Sequence, residues 1–478
     1  MTYKPELYVI SDALQQRFLA GNIVGDLAKG LFGKFTDVTS YNDEGKLNLT
    51  KMIENTCNCM ESGTEVICEA AFLFDGSYCA VDILKKEGAG YAIYEVKSST
   101  DGDKEVFAQD VAFQKYILTH SGVDITGTYL VCINSDYVLN GEIDIHKLFL
   151  IQDISEAVAR EYQFVESQIA KAKQMLAQKD VEPNEGLDVH CHKPYDCASW
   201  EYCSRHLPEK SVFDLYRMNF DKKIAYYRQN KITFEQLECE ALNEKQQTQI
   251  HCTLNNTIYI NKVEIANFLS TLTYPLYFLD FETIQPVIPV FQGTRPYQQI
   301  PFQYSLHYIE LEGGVLKHKE FLGESGEDPR RTLAEQLCAD IPLDVCTTAY
   351  NKAFECTRLT ELAEAFPDLA EHLLNIRDHI VDLLVPFQSG WYYVPAMGGS
   401  FSIKSVLPAL FPNDPELDYH NLTGSVHNGG EAMNIFPKIK DMPPHEQQAA
   451  RHSLLKYCEL DTFAMVKVWQ KLKDVAET

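Results

Sequence analysis

Residues 275–286 read PLYFLDFETIQP, an apolar run that carries Asp280 and Glu282 two positions apart. In an extended strand successive side chains point to opposite faces. Leu276, Phe278, Asp280 and Glu282 therefore share one face, and Tyr277, Leu279 and Phe281 the other. The run reads as a buried strand from which two acids project together. Paired carboxylates are the donors that hard divalent cations take.

The surrounding pattern makes this strand the start of an α/β module over residues 269–478, with another strand at PFQYSLHYIEL and a final helix at HSLLKYCELDTFAMVKVWQKL. A second α/β module precedes it. Up to about residue 60 the reading is helical, with Leu14, Phe18, Leu19, Val24, Leu27 and Leu31 at helical spacing. Residues 66–99 read as strands, followed by a helix over 105–120, a strand at GTYLVCI and a long polar helix over 155–179. The module closes at residue 208 with a cysteine-bearing loop, HCHKPYDCASWEYC, and residues 209–268 read as a mainly helical connector. The expected fold class is α/β throughout.

Composition narrows the function classes. At 478 residues the chain exceeds the roughly 250–300 at which single cores stop growing, so several domains are expected. A formal net charge of −26 excludes the long-range positive field of a nucleic-acid coating or packaging protein. It leaves room for an enzyme that meets nucleic acid in a local groove, where bound divalent ions cancel part of the acid. No apolar run reaches the roughly 20 residues of a membrane span, and the opening MTYKPELYVISDALQQ lacks a signal-peptide pattern, so a cytoplasmic protein without membrane contact is expected. The 14 cysteines then read as metal ligands, core residues or bystanders before they read as disulfides.

In SYCAVDILKKEGAGYAIYEVKSS two strands are joined by a glycine-bearing turn. Ala92, Tyr94 and Val96 fall on one face of the second strand, and Ile93, Glu95 and Lys97 on the other. A turn at Gly88 and Ala89 sets Asp82 opposite Glu95, a like-charge pair that a cation would relieve. Two carboxylates for a divalent ion and an ammonium to orient water or neutralise charge suit phosphodiester hydrolysis. An isolated Glu-x-Lys reads first as a solvated strand face with an ordinary Glu/Lys pairing, and Asp82 with the following helix favours the site. In DKEVFAQDVAFQKYIL, Asp110, Gln114 and Ile117 share one helix side, with Tyr116 adjacent. Glu69 in EAAFLFDG is a further acid near these strands.

Cys191, Cys197 and Cys203 recur at intervals of six beside His190, His192 and His206. This spacing is compatible with a metal site, although it lacks the tight C-x2-C knuckle of zinc sites. Core or surface thiols are the alternative.

Two further motifs accompany the Asp280–Glu282 strand. TAYNKAFECTRL places Asn351, Phe354 and Glu355 after a short strand, and KYCELDTFAM sets Tyr457 and Asp461 four apart on one helix face. Between them Asp382 reads as a strand-end or cap residue. The Gly398-Gly399-Ser400 turn with Lys404 reads either as a phosphate-approaching turn or as a plain one. Arg295, Tyr297 and Gln303 are weaker candidates for contact with a strand end.

These motifs resemble two nuclease families. The first module is similar to the RecB-like branch of the PD-(D/E)xK nucleases, which implies a restriction-endonuclease-like fold with Asp82, Glu95 and Lys97 as catalytic residues and Gln114 with Tyr116 as the helix motif. The position expected to hold the family's His holds Lys29. RecB-like nucleases often carry an iron-sulfur cluster, and that resemblance assigns Cys191, Cys197 and Cys203 as three of its ligands, for a 4Fe-4S cluster or, in its place, zinc. The second module resembles the DEDD exonucleases of the RNase H-like fold, which implies a two-metal site. In it Asp280, Glu282, Glu355 and Asp461 would hold Mg²⁺ or Mn²⁺, with Tyr457 orienting water and Asn351 in support. Glu355 stands where that family places Asp. In combination and order, the motifs resemble the bacterial domain of unknown function family number 2779.

The expected activity is metal-dependent hydrolysis of DNA or RNA, single-stranded or at ends, with an endonuclease-type site in the first module and a 3′-5′ exonuclease-type site in the second. A nucleic-acid-binding or complex-forming scaffold with one or both sites inactive is the alternative, and a nucleotide phosphohydrolase is another.

Overall fold

Strand alternation over residues 66–97 becomes three consecutive antiparallel strands in the computed structural model, which describes residues 4–100, 104–178, 181–183 and 185–477. Contacts divide the chain into two units. The first comprises Met1–Gly186, Lys193–Tyr202 and Pro286–Gln298, and the second the remainder. Both are mixed α/β. Among the described residues no helix is long and apolar enough to cross a membrane.

The first unit holds a six-stranded sheet in sequence order: β1 (Thr36–Asp37), β2 (Val66–Phe74), β3 (Ser77–Glu87), β4 (Gly90–Lys97), β5 (Ile125–Ile133) and β6 (Phe149–Asp153). The β3–β4 hairpin closes with Glu87 opposite Gly90 and Gly88 at φ 62, where a side chain would be strained. One sheet face, with Ile67, Val81 and Ile93, is covered by Val111 and Ile117 of helix Lys104–His120 and Val158 of helix Ser155–Ala177. The other, with Cys68, Ile83 and Tyr94, meets Val24 and Ala28 of helix Asp12–Ala28. Glu69 interrupts β2 in the left-handed region at φ 57, and the ladder passes from Cys68↔Ile83 to Ala70↔Val81 around it. Residues 286–298 are held in this unit by Thr294 and Gly293 on Leu139 and by the Tyr297 hydroxyl on the Ser98 carbonyl.

In the second unit a two-stranded sheet pairs β7 (Tyr259–Ile260) with β13 (Tyr392–Tyr393). The main sheet uses β8 (Leu276–Ile284), β9 (Ile300–Ile309), β10 (Lys317–Leu322), β11 (Cys346–Ala349) and β12 (Ile380–Asp382), in the order β10-β9-β8-β11-β12. β10, β9 and β8 are antiparallel, and β8, β11 and β12 are parallel. Central β8 is buried on both sides, as its sequence predicts. Leu276 and Phe278 join Met465 and Trp469 of the C-terminal helix Pro444–Glu477 in one core. Tyr277, Leu279 and Phe281 join Leu333 and Leu337 of helix Arg330–Asp340 and Leu359 and Leu362 of helix Ala353–Ala365 in the other. Each fully buried Phe or Leu contributes roughly 1.5–3 kcal/mol, enough to fix the register that aims Asp280 and Glu282.

The segment 209–268, separated as a connector in sequence, falls within the second unit. Its physical reason is apolar burial. Cys252, Ile265 and Phe268 enter the same core as Leu276 and Phe278, and a smaller cluster forms from Val212, Phe234 and Ile250.

Candidate functional site: two acid clusters

The second unit brings the residues of its three sequence motifs together. β8 supplies Asp280 and Glu282, the first turn of helix Ala353–Ala365 supplies Glu355, and the C-terminal helix supplies Tyr457 and Asp461. Glu282, Glu355 and Asp461 are 8%, 2% and 9% exposed. Desolvation, with the charges of Asp461, Glu282 and Glu355, holds Asp280 well above the usual carboxylate range. Burial and Asp461 push Glu282 up to about 8, and burial pushes Asp461 up to about 6. Burial, reinforced by Asp382, pushes Glu355 up to about 8. Its Oε2 is buried with no hydrogen-bond partner. Glu355 thus reaches the cluster from a helix start.

Groups the sequence motifs do not name complete the site. Tyr419 donates from its hydroxyl to Asp461 Oδ1 at 2.6 Å. Cys458 Sγ lies 3.8 Å from Asp280 Oδ2, and donor atoms of Asp280, Glu282 and Cys458 lie within 4.8 Å of one another. Lys404 Nζ stands 5.8 Å from the Tyr419 ring centroid and 5.9 Å from that of Tyr457, and its charge favours ionised Glu282 and Asp461. A cavity of about 870 Å³ opens beside these groups, lined by Lys404, Tyr419, His420, His427 and Asn428 among others. Tyr419 opens a single 3-10 turn, Tyr419–Asn421, too short for a periodic pattern, so no signal in the sequence marks it. Cys458 sits inside the Tyr-x3-Asp motif and could have been found by asking what else its helix turn presents.

Other candidates have structural roles. Asn351 adopts φ 67 and its N–H donates to Asp382 Oδ1 at 2.8 Å, while Lys352 and Leu384 N–H groups also donate to Asp382. Asp382 is thus a cap, as the sequence suggests. Gln303 donates to the Leu454 carbonyl at 2.9 Å and is fully buried, so it is a packing residue, whereas Arg295 is exposed. The Gly398-Gly399 turn serves packing. At Gly399, φ 79, an added Cβ would lie 2.5 Å from Gln249 Nε2 and 2.6 Å from the Asp214 carbonyl oxygen. Gly399→Ala is therefore expected to destabilise the fold by about 2–4 kcal/mol, read as a lowered denaturation midpoint. An unchanged midpoint would contradict that packing.

In the first unit the β3–β4 ladder ends at Ile83↔Tyr94, and beyond it Asp82 Oδ2 accepts from the Val96 N–H at 2.7 Å. Desolvation and neighbouring Glu95 raise Asp82 well above its ordinary range. Lys97 donates to Glu95 Oε1 at 2.8 Å and to Asp110 Oδ2 at 2.7 Å, while Gln114 Nε2 donates to Glu95 Oε2 at 2.6 Å. Burial opposes the Lys97 charge, but Glu95 and Asp110 more than offset it and hold the ammonium above its ordinary range. Glu69, raised by burial, lies 3.9 Å from Lys29 Nζ, which donates to Asp26 and Asp37 at 2.8 Å each. Tyr116 instead packs edge-on and tilted among Phe74, His120 and Tyr162, away from the acids' hydrogen bonds. Of the helix pair expected from sequence, only Gln114 makes a hydrogen bond to this cluster.

The three cysteines of the loop are divided between the units. Cys197 belongs to the first, and buried Cys191 and exposed Cys203 to the second. Among the described residues of the second unit, no third His, Cys or acidic donor gathers with Cys191 and Cys203 within 4.8 Å.

Residues 277–402, from β8 to just past the Gly398-Gly399 turn, match the family model described as Domain of unknown function (DUF2779), which supports the family suggested by the motifs. An uncharacterized protein of Ureaplasma parvum is 28% identical over 254 residues, 48% of this chain and 36% of that relative. An uncharacterized protein of Mycoplasma genitalium is 22% identical over 297 residues, 54% of this chain and 42% of that relative. The matches thus cover well under half the length of either relative. No solved structure matches.

Proposed function

We propose that this protein is a metal-dependent nuclease that hydrolyses phosphodiester bonds of DNA or RNA in the cytoplasm. Its principal site, on this reading, is an RNase H-like, DEDD-type centre in the second unit. The observation that carries the reading is the unpaired, buried Oε2 of Glu355 in a cluster with Asp280, Glu282 and Asp461. Buried carboxylates that repel one another are costly unless a cation joins them, and an oxygen-only donor set suits Mg²⁺ or Mn²⁺. Asp280, Glu282, Glu355 and Asp461 would hold the ions. When bound, such ions activate water and stabilise the leaving oxygen of a phosphodiester.

The chain's own groups supply the rest. Burial and the surrounding acids hold Tyr457 well above its ordinary range, so its hydroxyl keeps its proton and can hold an attacking water by hydrogen bonding. Tyr419 fixes one oxygen of Asp461. Lys404 offers an ammonium between the cluster and the adjoining cavity, where it can meet a phosphate. In the first unit a PD-(D/E)xK-type site would use Asp82 and Glu95 for an ion, with Lys97 fixed by Glu95 and Asp110. A second reading is favoured there by Lys29. Its ammonium already neutralises Asp37 and approaches Glu69, which suits a site that binds nucleic acid without cutting it.

Labelled single- and double-stranded DNA and RNA in Mg²⁺ or Mn²⁺ test both readings. Release of mononucleotides from a 3′ end, lost in Asp280→Asn, supports the second-unit site. Internal cuts lost in Glu95→Gln support the first. Absence of cleavage on every substrate, or cleavage untouched by both substitutions, removes the enzyme reading. For Cys191, Cys197 and Cys203, the proposal of an iron-sulfur cluster predicts a brown, iron-containing protein after anaerobic purification. Colourless, iron-free protein would withdraw it.

A further inference from the structure

On the sheet face covered by the C-terminal helix, His307 of β9 and His318 of β10 are direct cross-strand partners, with ring centroids 4.5 Å apart. Glu459 of that helix stands over them. One ring nitrogen of each histidine and a carboxylate oxygen of Glu459 lie within 4.8 Å of one another. None of the three belongs to the acid cluster described above.

A relay of hydroxyl groups runs between the two imidazoles. The Thr462 hydroxyl donates to the Glu459 carbonyl at 3.1 Å, so it accepts from its neighbours, Ser305 Oγ at 2.7 Å and His307 Nδ1 at 2.8 Å. Ser305 therefore donates to Thr462 and accepts from His318 Nε2 at 2.9 Å. Every hydrogen in the relay has an acceptor when His307 is protonated at Nδ1 and His318 at Nε2. His307 Nε2 and His318 Nδ1 are then left with lone pairs. Ser305, His307 and Thr462 are 1%, 5% and 0% exposed, so the relay is built into the core. A ring N–H given to an oxygen behind it, with the other nitrogen free, is how protein matrices orient histidines for metal. Glu459 stands beside both rings as the third donor. Its Oε2 is held by Lys456 at 2.6 Å, which leaves its second oxygen for a cation.

We infer that His307, His318 and Glu459 form a second, separate metal site for a borderline divalent transition metal of the zinc class. Two imidazoles and one carboxylate differ in kind from the carboxylate set at Asp280, and nitrogen donors select zinc-class ions over magnesium. An ion there would tie β9 and β10 to the turn of the C-terminal helix that also carries Tyr457 and Asp461. Its role is to lock that helix in register.

The test uses the full chain, stripped with chelator and titrated with Zn²⁺ and with Co²⁺ while excess Mg²⁺ occupies carboxylate sites. The expected result is a tight equivalent of Zn²⁺ per chain, a tetrahedral-type Co²⁺ absorption and a thermal midpoint raised by several degrees. His318→Gln and Glu459→Gln, both at partly exposed positions, should each weaken that equivalent by about 100-fold or more and keep the metal-free midpoint. Asp280→Asn should retain it. The inference is overturned if no tight equivalent binds, or if it persists in both the His318→Gln and Glu459→Gln proteins. Zinc lost on Cys197→Ser and kept in those two variants would assign it to the cysteine loop and equally overturn the inference.

Discussion

Replacing Asp280 with Asn should lower the rate of 3′-end cleavage by roughly 10³-fold or more and, in chelator, raise the melting temperature. The two effects share one cause. Asp280 is desolvated against Asp461, Glu282 and Glu355, so folding forces a proton onto it, at a cost to stability, until a cation arrives. An amide of the same shape removes the cost of keeping a buried carboxyl protonated at neutral pH, and it removes a donor from the ions. Stability gained where function is lost is expected at a site whose repulsion is retained for chemistry. The measurements are initial rates on 3′-labelled strands, and melting with and without Mn²⁺. The wild type should gain several degrees from Mn²⁺, and the variant little. A variant that melts lower than the wild type in chelator, with its Mn²⁺ response intact, would show that the four acids do not act as one cation site.

The second large effect is on pH. Glu282 and Glu355 titrate at about 8 in the folded protein, raised chiefly by burial, against about 4.3 for a free glutamate. Between these values the folded chain holds protons that the unfolded chain has released. Stability from these groups is therefore complete below about pH 4.3 and is lost as pH rises through about 8. Displacing a titration by one pH unit corresponds to about 1.4 kcal/mol, so the loss is on the order of a few kcal/mol, large beside net stabilities of about 5–15. In chelator the denaturation midpoint should fall from about pH 4.3 to about pH 8 and level off above it. Saturating Mg²⁺ or Mn²⁺, which binds the ionised form, should flatten the fall, and Glu282→Gln should reduce it. A chelator profile that rises through this window would contradict the protonated, cation-free cluster.

Much of this site was legible in advance because strand and helix periods are local. Alternation along PLYFLDFETI placed Asp280 and Glu282 on one face, and a spacing of four placed Tyr457 with Asp461. The β3–β4 hairpin followed from a two-residue glycine turn, and Asp82 stands near Glu95 although the ladder stops one pair short of them. Helix and strand identity in the first unit was readable for the same reason. Less legible was whatever depends on a loop's path or on a distant partner. Tyr419 reaches Asp461 across 42 positions, and Gln303 looks polar and available until Leu454 is found beside it. The role of Tyr116 turned on rotation. Residues two apart on a helix point in different directions, so Gln114 meets Glu95 while Tyr116 meets Phe74 at the end of β2.

By itself, the sequence determined the element types, the two-sided burial of β8 and the direction in which its acids project, since each rests on periodicity within a few residues. Tertiary structure alone decided which charges meet. It brought Glu355 from a helix start to the β8 acids, set Lys29 among Asp26, Asp37 and Glu69, and joined residues 209–268 to the second unit's core. The reason is physical. Coulomb and desolvation energies depend on distance and burial, which close only when the chain has folded back on itself.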